Sequence, residues 1–356
     1  MKKIFISLVI ITAIALAIAV ITLKIEEKEY SALQIREQFA NKLESLVRSD
    51  GSFLYEYNIE HKNEIDDYNI LRHSLSSYAL INYYEENDLL KSKRELVERM
   101  LEYIKEQIVE DNNGNMYVAD IVEDEIKLGA CALGLLNFCE YERLYNDERY
   151  HDVCIKLANG ILTMQRLDGR FSHIYNPNTF KLKEKDRIIY YEGEACFALC
   201  KAYGLLKDEK YLTAVNKAVN YYCRNGYSQY NDHWQEHAVF ELSKYVEDDE
   251  YLEYGVKNVT SKLTLFKQKD DFANTDFELF NTCLKLIDRV GKEKYASQFD
   301  AIDEELTRRK NILVNEYNKI VNDKDKDLDN IESFLKEKGK NHLRIDDLAH
   351  YIIAFS

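Results

Sequence analysis

Five short clusters hold the side chains best suited to chemistry. They are Arg72-His73; Gln165, Asp168 and His173; Tyr190, Tyr191, Glu192 and Glu194; Asp232, His233, Trp234 and Gln235; and Arg344, Asp346, Asp347 and His350. Carboxyl and imidazole groups can pass protons. Aromatic rings beside carboxylates and amides suit sugars, which present C–H faces and hydroxyl edges. Each cluster also has a plain structural reading. Asp232, with Gln235 three residues on, has the pattern of a capping box. Glu192 and Glu194 can complement a helix dipole; on a regular helix they point about 200° apart. Asp346 and His350 share a helix face, where a carboxylate can orient an imidazole or simply pair with it on the surface. Arg72 and His73 can bond carbonyls or a carboxylate at a buried helix end. Asp168 precedes Gly169 and is foremost a turn residue.

One literal motif is present. His233-Trp234-Gln235-Glu236-His237 matches H-x-x-E-H, in which two histidines on one helix face hold Zn²⁺ and a glutamate acts as base. No position advertises the third ligand, so no metal and no cofactor is expected. The chain has no P-loop, no G-x-G-x-x-G, no G-x-S-x-G and no H-E-x-x-H. Nucleotide-binding and hydrolase-elbow readings therefore lack their motifs.

The elements that must position these clusters are helical. Among 356 residues there is one proline, Pro177, and only 12 glycines. An all-β chain cannot easily be built with so few turn formers. Apolar residues make up 46% of the chain, enough for a large core, and the net charge of −15 argues against nucleic acid as a partner. Two patterns repeat. Asn146 to Tyr150, Lys207 to Tyr211, Glu247 to Tyr251 and Gly291 to Tyr295 each read as a charged turn opening an amphipathic helix. Between them recur turn glycines at Gly51, Gly114, Gly169 and Gly226, each after Asp or Asn. Ile126 to Phe138 and Tyr190 to Leu206 are apolar over most of their circumference, as buried helices are. Periodicity gives about 12 or 13 helices after residue 31. Stacked helical pairs can form an open solenoid or curl into a closed α/α toroid. The alternation of buried and one-sided helices favours the toroid, of about six hairpins.

Residues Ile4 to Leu23 carry no charge, and Lys2 and Lys3 precede them. At 1.5 Å per residue the run spans about 30 Å, one bilayer core. The expectation is an N-terminal transmembrane helix in residues 1–28 and one exported domain in residues 29–356, outside the cytoplasmic membrane. The alternative is a cleaved signal segment, for which Ala15, Ala17 and Ala19 offer A-x-A-like sites. Asp323 to Lys326 reads as a solvated turn. The seven cysteines form no C-x-x-C pair, and an odd number leaves at least one free thiol.

Taken in order, the motifs resemble a known group. They run Tyr68-Asn69-Ile70-Leu71-Arg72-His73, Leu157-Ala158-Asn159-Gly160-Ile161-Leu162, Asp168-Gly169, Tyr190-Tyr191-Glu192-Gly193-Glu194-Ala195, Asp232-His233-Trp234 and Arg344-Ile345-Asp346 with His350. Over roughly residues 45 to 356 this resembles bacterial and archaeal α/α-toroid proteins grouped with six-hairpin glycosidases and the C-terminal domain of glucuronyl C5-epimerases. Where Tyr-Tyr-Pro-Gly-Glu is common, this chain has Glu192. The resemblance implies a carbohydrate-active enzyme on a cell-surface polysaccharide, most simply a glycoside hydrolase. Hydrolysis needs two carboxyl groups: Glu194 and Asp232, with Asp168 as substitute. Arg72, His73, Gln165, His173, Tyr190, Tyr191, His233, Trp234, Arg344, Asp346 and His350 would bind the sugar. A first alternative is uronate epimerisation or elimination, with Tyr190 or Tyr191 and His233 moving a proton at C5. A second is a glycan-binding or assembly factor without turnover.

Overall fold

A computed structural model describes residues 28–268, 273–323 and 327–355. The uncharged run Ile4 to Leu23 and residues 324–326 lie outside them. In chain order the helices are α1 (Ala32–Ser45), α2 (Ile70–Glu86), α3 (Leu90–Glu106), α4 (Leu128–Tyr145), α5 (His151–Thr163), α6 (Tyr190–Leu206) and α7 (Glu209–Arg224). They continue as α8 (His233–Leu242), α9 (Asp249–Thr260), α10 (Asn274–Val290), α11 (Ala296–Asn322), α12 (Asn330–Glu337) and α13 (Ile345–Ala354). A single turn, Leu263–Phe266, lies between α9 and α10.

The helices form two concentric rings. In the inner ring α2, α4, α6, α8, α10 and α13 pack side by side, and the ring closes where α13 meets α2. Around it α1, α3, α5, α7, α9 and α11 each pack against inner helices. This is the closed toroid of six hairpins. The sequence accounts for the sorting. Every residue of α4 from Leu128 to Glu142 is buried, so that helix must be enclosed on all sides. The outer helix α3 buries only Val97, Met100, Leu101 and Ile104, a single stripe. Asp147, Asp208 and Asp248 in the charged turns accept backbone N–H bonds and start the helical segments that follow.

The recurrent glycines open the loops that lead to inner helices. Gly51 has φ +90° and Gly169 φ +103°, and a Cβ there would lie 2.0 Å from Arg99 O and 2.6 Å from Lys217 O. Both the turn and the close approach to the neighbouring outer helix require glycine.

The all-helical expectation needs one correction. The loops before the inner helices carry β1 (Glu56–Asn58), β2 (Ile108–Glu110), β3 (Met116–Asp120), β4 (Glu125–Lys127), β5 (Ile174–Tyr175), β6 (Leu182–Glu184) and β7 (His342–Arg344). Strands β2 to β6 form one antiparallel sheet in chain order, and β1 pairs with β7. Long loops folded against a core have backbone groups to satisfy, and pairing with one another does so. Tyr57 faces Leu343 and Ile126 faces Tyr175, which ties the first loop to the last and the α4 loop to the α6 loop. These loops therefore share one face of the toroid. Among the described residues, no helix is long and apolar enough to cross a membrane.

Candidate active site

The inner helices begin on that face, and their first turns bring side chains toward the ring axis. His233, at the start of α8, has its ring centre 5.2 Å from Tyr190 at the start of α6 and 6.1 Å from His350 of α13. Arg72 Nε of α2 lies 3.2 Å from Asp346 Oδ2 of α13. Arg344 holds the same carboxylate through Nε at 2.5 Å and Nη2 at 2.9 Å. Residues of four separately predicted clusters thus meet around α2, α6, α8 and α13.

The centre of this half is a residue that sequence reasoning missed, Glu278 of α10. Its Oε1 accepts from His350 Nδ1 at 2.8 Å. Its Oε2 lies 3.8 Å from His237 Nε2 and 4.0 Å from His233 Nε2. Burial alone would raise this carboxyl, but His350, with His237 and His233 beyond it, holds it far below the usual carboxylate range. Burial opposes charge on His350, yet Glu278 first and then Asp346 and Asp347 raise it above its ordinary 6.5. His233 goes the other way: burial pushes it down to about 3, against the pull of Glu278. The two neighbouring imidazoles are therefore pushed apart, His350 upward and His233 downward. The expected pairing of Asp346 with His350 is replaced, because Asp346 is taken by the two arginines and Glu278 orients the imidazole instead.

Across the ring lies Glu194 of α6. Two residues earlier, Glu192 points outward, where it accepts from Phe171 N at 2.9 Å and from the Tyr222 hydroxyl. Glu194 points inward, and its buried Oε2 has no hydrogen-bond partner among the described residues. Burial, then the nearby Asp232, push its carboxyl up to about 8. Gly129 of α4 makes the space: a Cβ there would sit 2.2 Å from Glu194 Oε2 and 2.8 Å from Leu71 Cδ1. Asp232 is the N-cap of α8, with Oδ1 accepting from Trp234 N at 2.9 Å and Oδ2 unpartnered. Burial raises it to about 8 as well, although N–H bonds from Trp234 and Gln235 pull it down. It caps without the reciprocal box, for both polar side-chain atoms of Gln235 are unpartnered.

Several expected residues lie elsewhere. His73 is buried between Tyr68 Oη at 2.7 Å and Met100 O at 3.2 Å, facing the outer helix α3. Gln165 donates to Gly169 O at 2.9 Å and Ala214 O at 2.8 Å, which pins its turn to α7. Asp168 sits on that turn, bonded to Arg170 N at 3.1 Å and to the Arg170 guanidinium; it does not join Glu194. Trp234 is buried with its ring 6.2 Å from Phe197 and 5.5 Å from His237, a packing position. His173 Nδ1 accepts from Arg187 N at 2.8 Å and Ile188 N at 3.2 Å, so its proton is on Nε2, 3.5 Å from Glu192 Oε1. Tyr191 packs 5.5 Å from that imidazole.

The zinc pattern does not assemble as written. Glu236 turns away from the axis, accepting from Asn258 Nδ2 at 2.9 Å, and burial raises it to about 8. His173, Asp186 and Glu192 bring donor atoms within 4.8 Å of one another. Arg166 Nη2 already lies 2.9 Å from Asp186 and 3.5 Å from Glu192, so a guanidinium supplies the positive charge there.

No protein-family model matches the chain, and no curated protein does. Solved structures do. A D-mannose isomerase superposes with a TM-score of 0.59 at 12% identity, covering 77% of this chain and 85% of its own. The cellobiose 2-epimerase of Spirochaeta thermophila gives 0.59 at 9%, covering 78% and 85%. A GH76 α-mannanase of Bacteroides thetaiotaomicron gives 0.59 at 10%, covering 90% and 94%. The fold is that of six-hairpin α/α toroids. Within it, one feature could have revealed Glu278 beforehand. It is a lone charge in the apolar run Phe277-Glu278-Leu279-Phe280, on a helix otherwise buried along that face.

Proposed function

We propose that this protein is a carbohydrate-active enzyme that moves a proton at the sugar carbon beside a carbonyl group, as an epimerase or isomerase. The observation that carries the reading is the placement of two neighbouring imidazoles, His233 and His350, whose surroundings push their proton affinities in opposite directions. Titratable neighbours pushed apart in this way are the signature of an acid/base pair. Their ring centres are 6.1 Å apart, edge to face, so the two imidazoles border one spot on the ring axis. His233 would take the C–H proton, leaving an enediolate. His350 would return a proton, to the opposite face of the same carbon in epimerisation or to the neighbouring carbon in isomerisation. Glu278 bonds Nδ1 of His350, which leaves Nε2 for the substrate and keeps the ring charged. The Arg72–Asp346–Arg344 group, one turn before His350, carries surplus positive charge suited to the developing oxyanion.

The hydrolase reading has less support. It requires an ionised carboxylate as base or nucleophile, and burial keeps Glu194 and Asp232 protonated at neutral pH. In the present reading Glu194 acts as a neutral donor to a sugar oxygen. The proteins of similar fold include an isomerase, an epimerase and a mannanase, which supports a sugar substrate and leaves the reaction to the site. The uncharged run Ile4 to Leu23 supports a tether that would hold the toroid outside the cytoplasmic membrane, facing surface polysaccharide.

The test is incubation in D₂O with a panel of reducing sugars and uronate-containing glycans. Solvent deuterium at the carbon beside the carbonyl, with no new reducing ends, is the expected result. New reducing ends without exchange would overturn it in favour of hydrolysis.

A further inference from the structure

The chain just ahead of α1 is clasped along the outer helix α11. Asn318 Oδ1 accepts from Tyr30 N at 2.7 Å, and Asn318 Nδ2 donates to Tyr30 O at 2.9 Å. One turn further on, Asn322 Oδ1 accepts from Lys28 N at 3.1 Å, and Asn322 Nδ2 donates to Lys28 O at 3.2 Å. A carboxamide carries an acceptor and donors on one planar head, so each asparagine can answer both backbone groups of one residue. The spacings agree. Four helical residues rise about 6.0 Å and two extended residues about 6.6 Å, so asparagines four apart meet residues two apart. The Asn322 amide is fixed further by its bond to Asn318 O at 2.9 Å.

The strap has no slack on the side of the toroid. The Tyr30 ring packs edge-on against Tyr317 of α11 at 6.0 Å, and its hydroxyl accepts from Asn330 Nδ2 at 3.4 Å. Ser31 then caps α1: its Oγ accepts from Gln34 N at 3.4 Å, and its own N donates to Gln34 Oε1 at 2.9 Å. The strap thus runs directly into α1, at the seam where α1 and α11 meet in the outer ring. In that first turn of α1, Leu33 is 70% exposed, a large apolar side chain standing in water beside the clasp. On the other side the sequence leaves little chain. Only Lys24 to Glu27 lie between the clasped Lys28 and Leu23, the last residue of the uncharged run. Even fully extended, the five steps from Leu23 to Lys28 span at most about 18 Å.

We propose that the seam between α1 and α11 is the wall of the toroid that faces a lipid surface, and that the Asn318–Asn322 clasp holds it there. This rests on the reading of Ile4 to Leu23 as a membrane tether. A tether joined through a long flexible linker would let the toroid turn any side to the bilayer. A short strap fixed along one outer helix allows only the side that carries it to come close. The net charge of −15 offers no attraction to anionic headgroups, so tether and clasp set the orientation, and charge does not. Leu33 gives that wall an apolar contact for the headgroup layer.

The experiment uses the full chain in phosphatidylcholine vesicles that carry a trace of acceptor-labelled lipid. A donor dye is attached through Asn315→Cys, in α11 beside the clasp, or through Asp152→Cys, in α5 across the ring. Cys223 is changed to Ser, because the other six cysteines are buried. Four layers of helices about 10 Å thick place the two positions roughly 40 Å apart. The protein is expected to float with the vesicles, with energy transfer to lipid several-fold greater from position 315 than from position 152. Asn318→Ala/Asn322→Ala should still float and lose most of that difference. A flexible Gly/Ser insertion between Glu26 and Glu27 should do the same without touching the packed toroid. Equal or reversed transfer in floating wild type overturns the lipid-facing wall and leaves the tether standing. So does a full difference in folded Asn318→Ala/Asn322→Ala or, where that variant does not fold, in the insertion variant. Wild type that does not float sinks the tether reading and the lipid-facing wall with it.

Discussion

Glu278 and Glu194 are both buried carboxyls on inner helices, facing one ring axis, and they behave oppositely. Glu278 sits among three imidazoles, one of them at 2.8 Å, and stays ionised. Glu194 lies against Gly129, finds no hydrogen-bond partner for Oε2 among the described residues, and holds its proton to about pH 8. The same side chain at similar burial is thus a counter-ion in one half of the site and a neutral acid in the other. Burial sets the cost of the charge, and only a partner offsets it. Chemistry that needs a fixed charge therefore belongs to the α8–α10–α13 half, and the α4–α6 half contributes shape and neutral hydrogen bonding.

The strongest way to break this contrast is Glu278→Gln. It removes the charge that keeps His350 protonated, and deuterium exchange should fall by roughly 10²–10⁴-fold, the scale of a general acid–base group. An NMR titration of His350 should show its pKa falling from above 6.5 toward or below it. Unchanged exchange would remove Glu278 and His350 from the mechanism.

A second test adds one methyl group on the opposite side. Gly129→Ala should destabilise the fold by about 1–3 kcal/mol in urea denaturation, because the new Cβ meets Glu194 Oε2 and two apolar side chains. Combining it with Glu194→Ala should recover part of the loss, since the crowded carboxyl is gone. Strict additivity of the two changes would mean that they do not share the space.

The pH profile of exchange sharpens the split. His350 must be charged and His233 neutral, so activity should hold from about pH 4 up to 6.5. It should decline at higher pH as His350 discharges; its pKa is raised from 6.5, so that limb lies above 6.5. A bell centred well above neutrality would assign the acid to a different group.

The smallest effect is expected from Glu194→Gln. A neutral amide replaces a neutral acid, so exchange should stay within about tenfold, whereas a hydrolase would lose turnover. The stability signature is more telling. The folded carboxyl titrates at about 8 and the unfolded one at 4.5. Between those values the folded state holds the extra proton, so wild-type stability falls as pH rises, with a limiting slope of about 1.4 kcal/mol per pH unit. Denaturation at pH 5, 7 and 9 should show the variant gaining on wild type as pH rises. Parallel curves would place Glu194 in contact with solvent or a cation.

Much of this architecture is legible in the residues themselves. The all-round burial of Leu128 to Glu142 and the single stripe of Leu90 to Glu106 distinguish inner from outer helices, because helical periodicity is local. Asp147, Asp208 and Asp248 announce helical starts, and Gly51 and Gly169 announce turns, for the same reason. The opposite directions of Glu192 and Glu194 follow from 3.6 residues per turn. The strands were hidden, since segments of two to five residues have no period to read and their partners lie in other hairpins: β1 waits for β7 across most of the chain. The site was hidden in the same sense. Asp346 lies four residues from His350, yet its partners are Arg72 and Arg344, and the charge that orients the imidazole comes from α10, 72 positions away. Local spacing decides which face of a helix a side chain occupies. Which charge it meets across the ring, and hence whether it is ionised, is decided only when six helices from distant parts of the chain close on one axis.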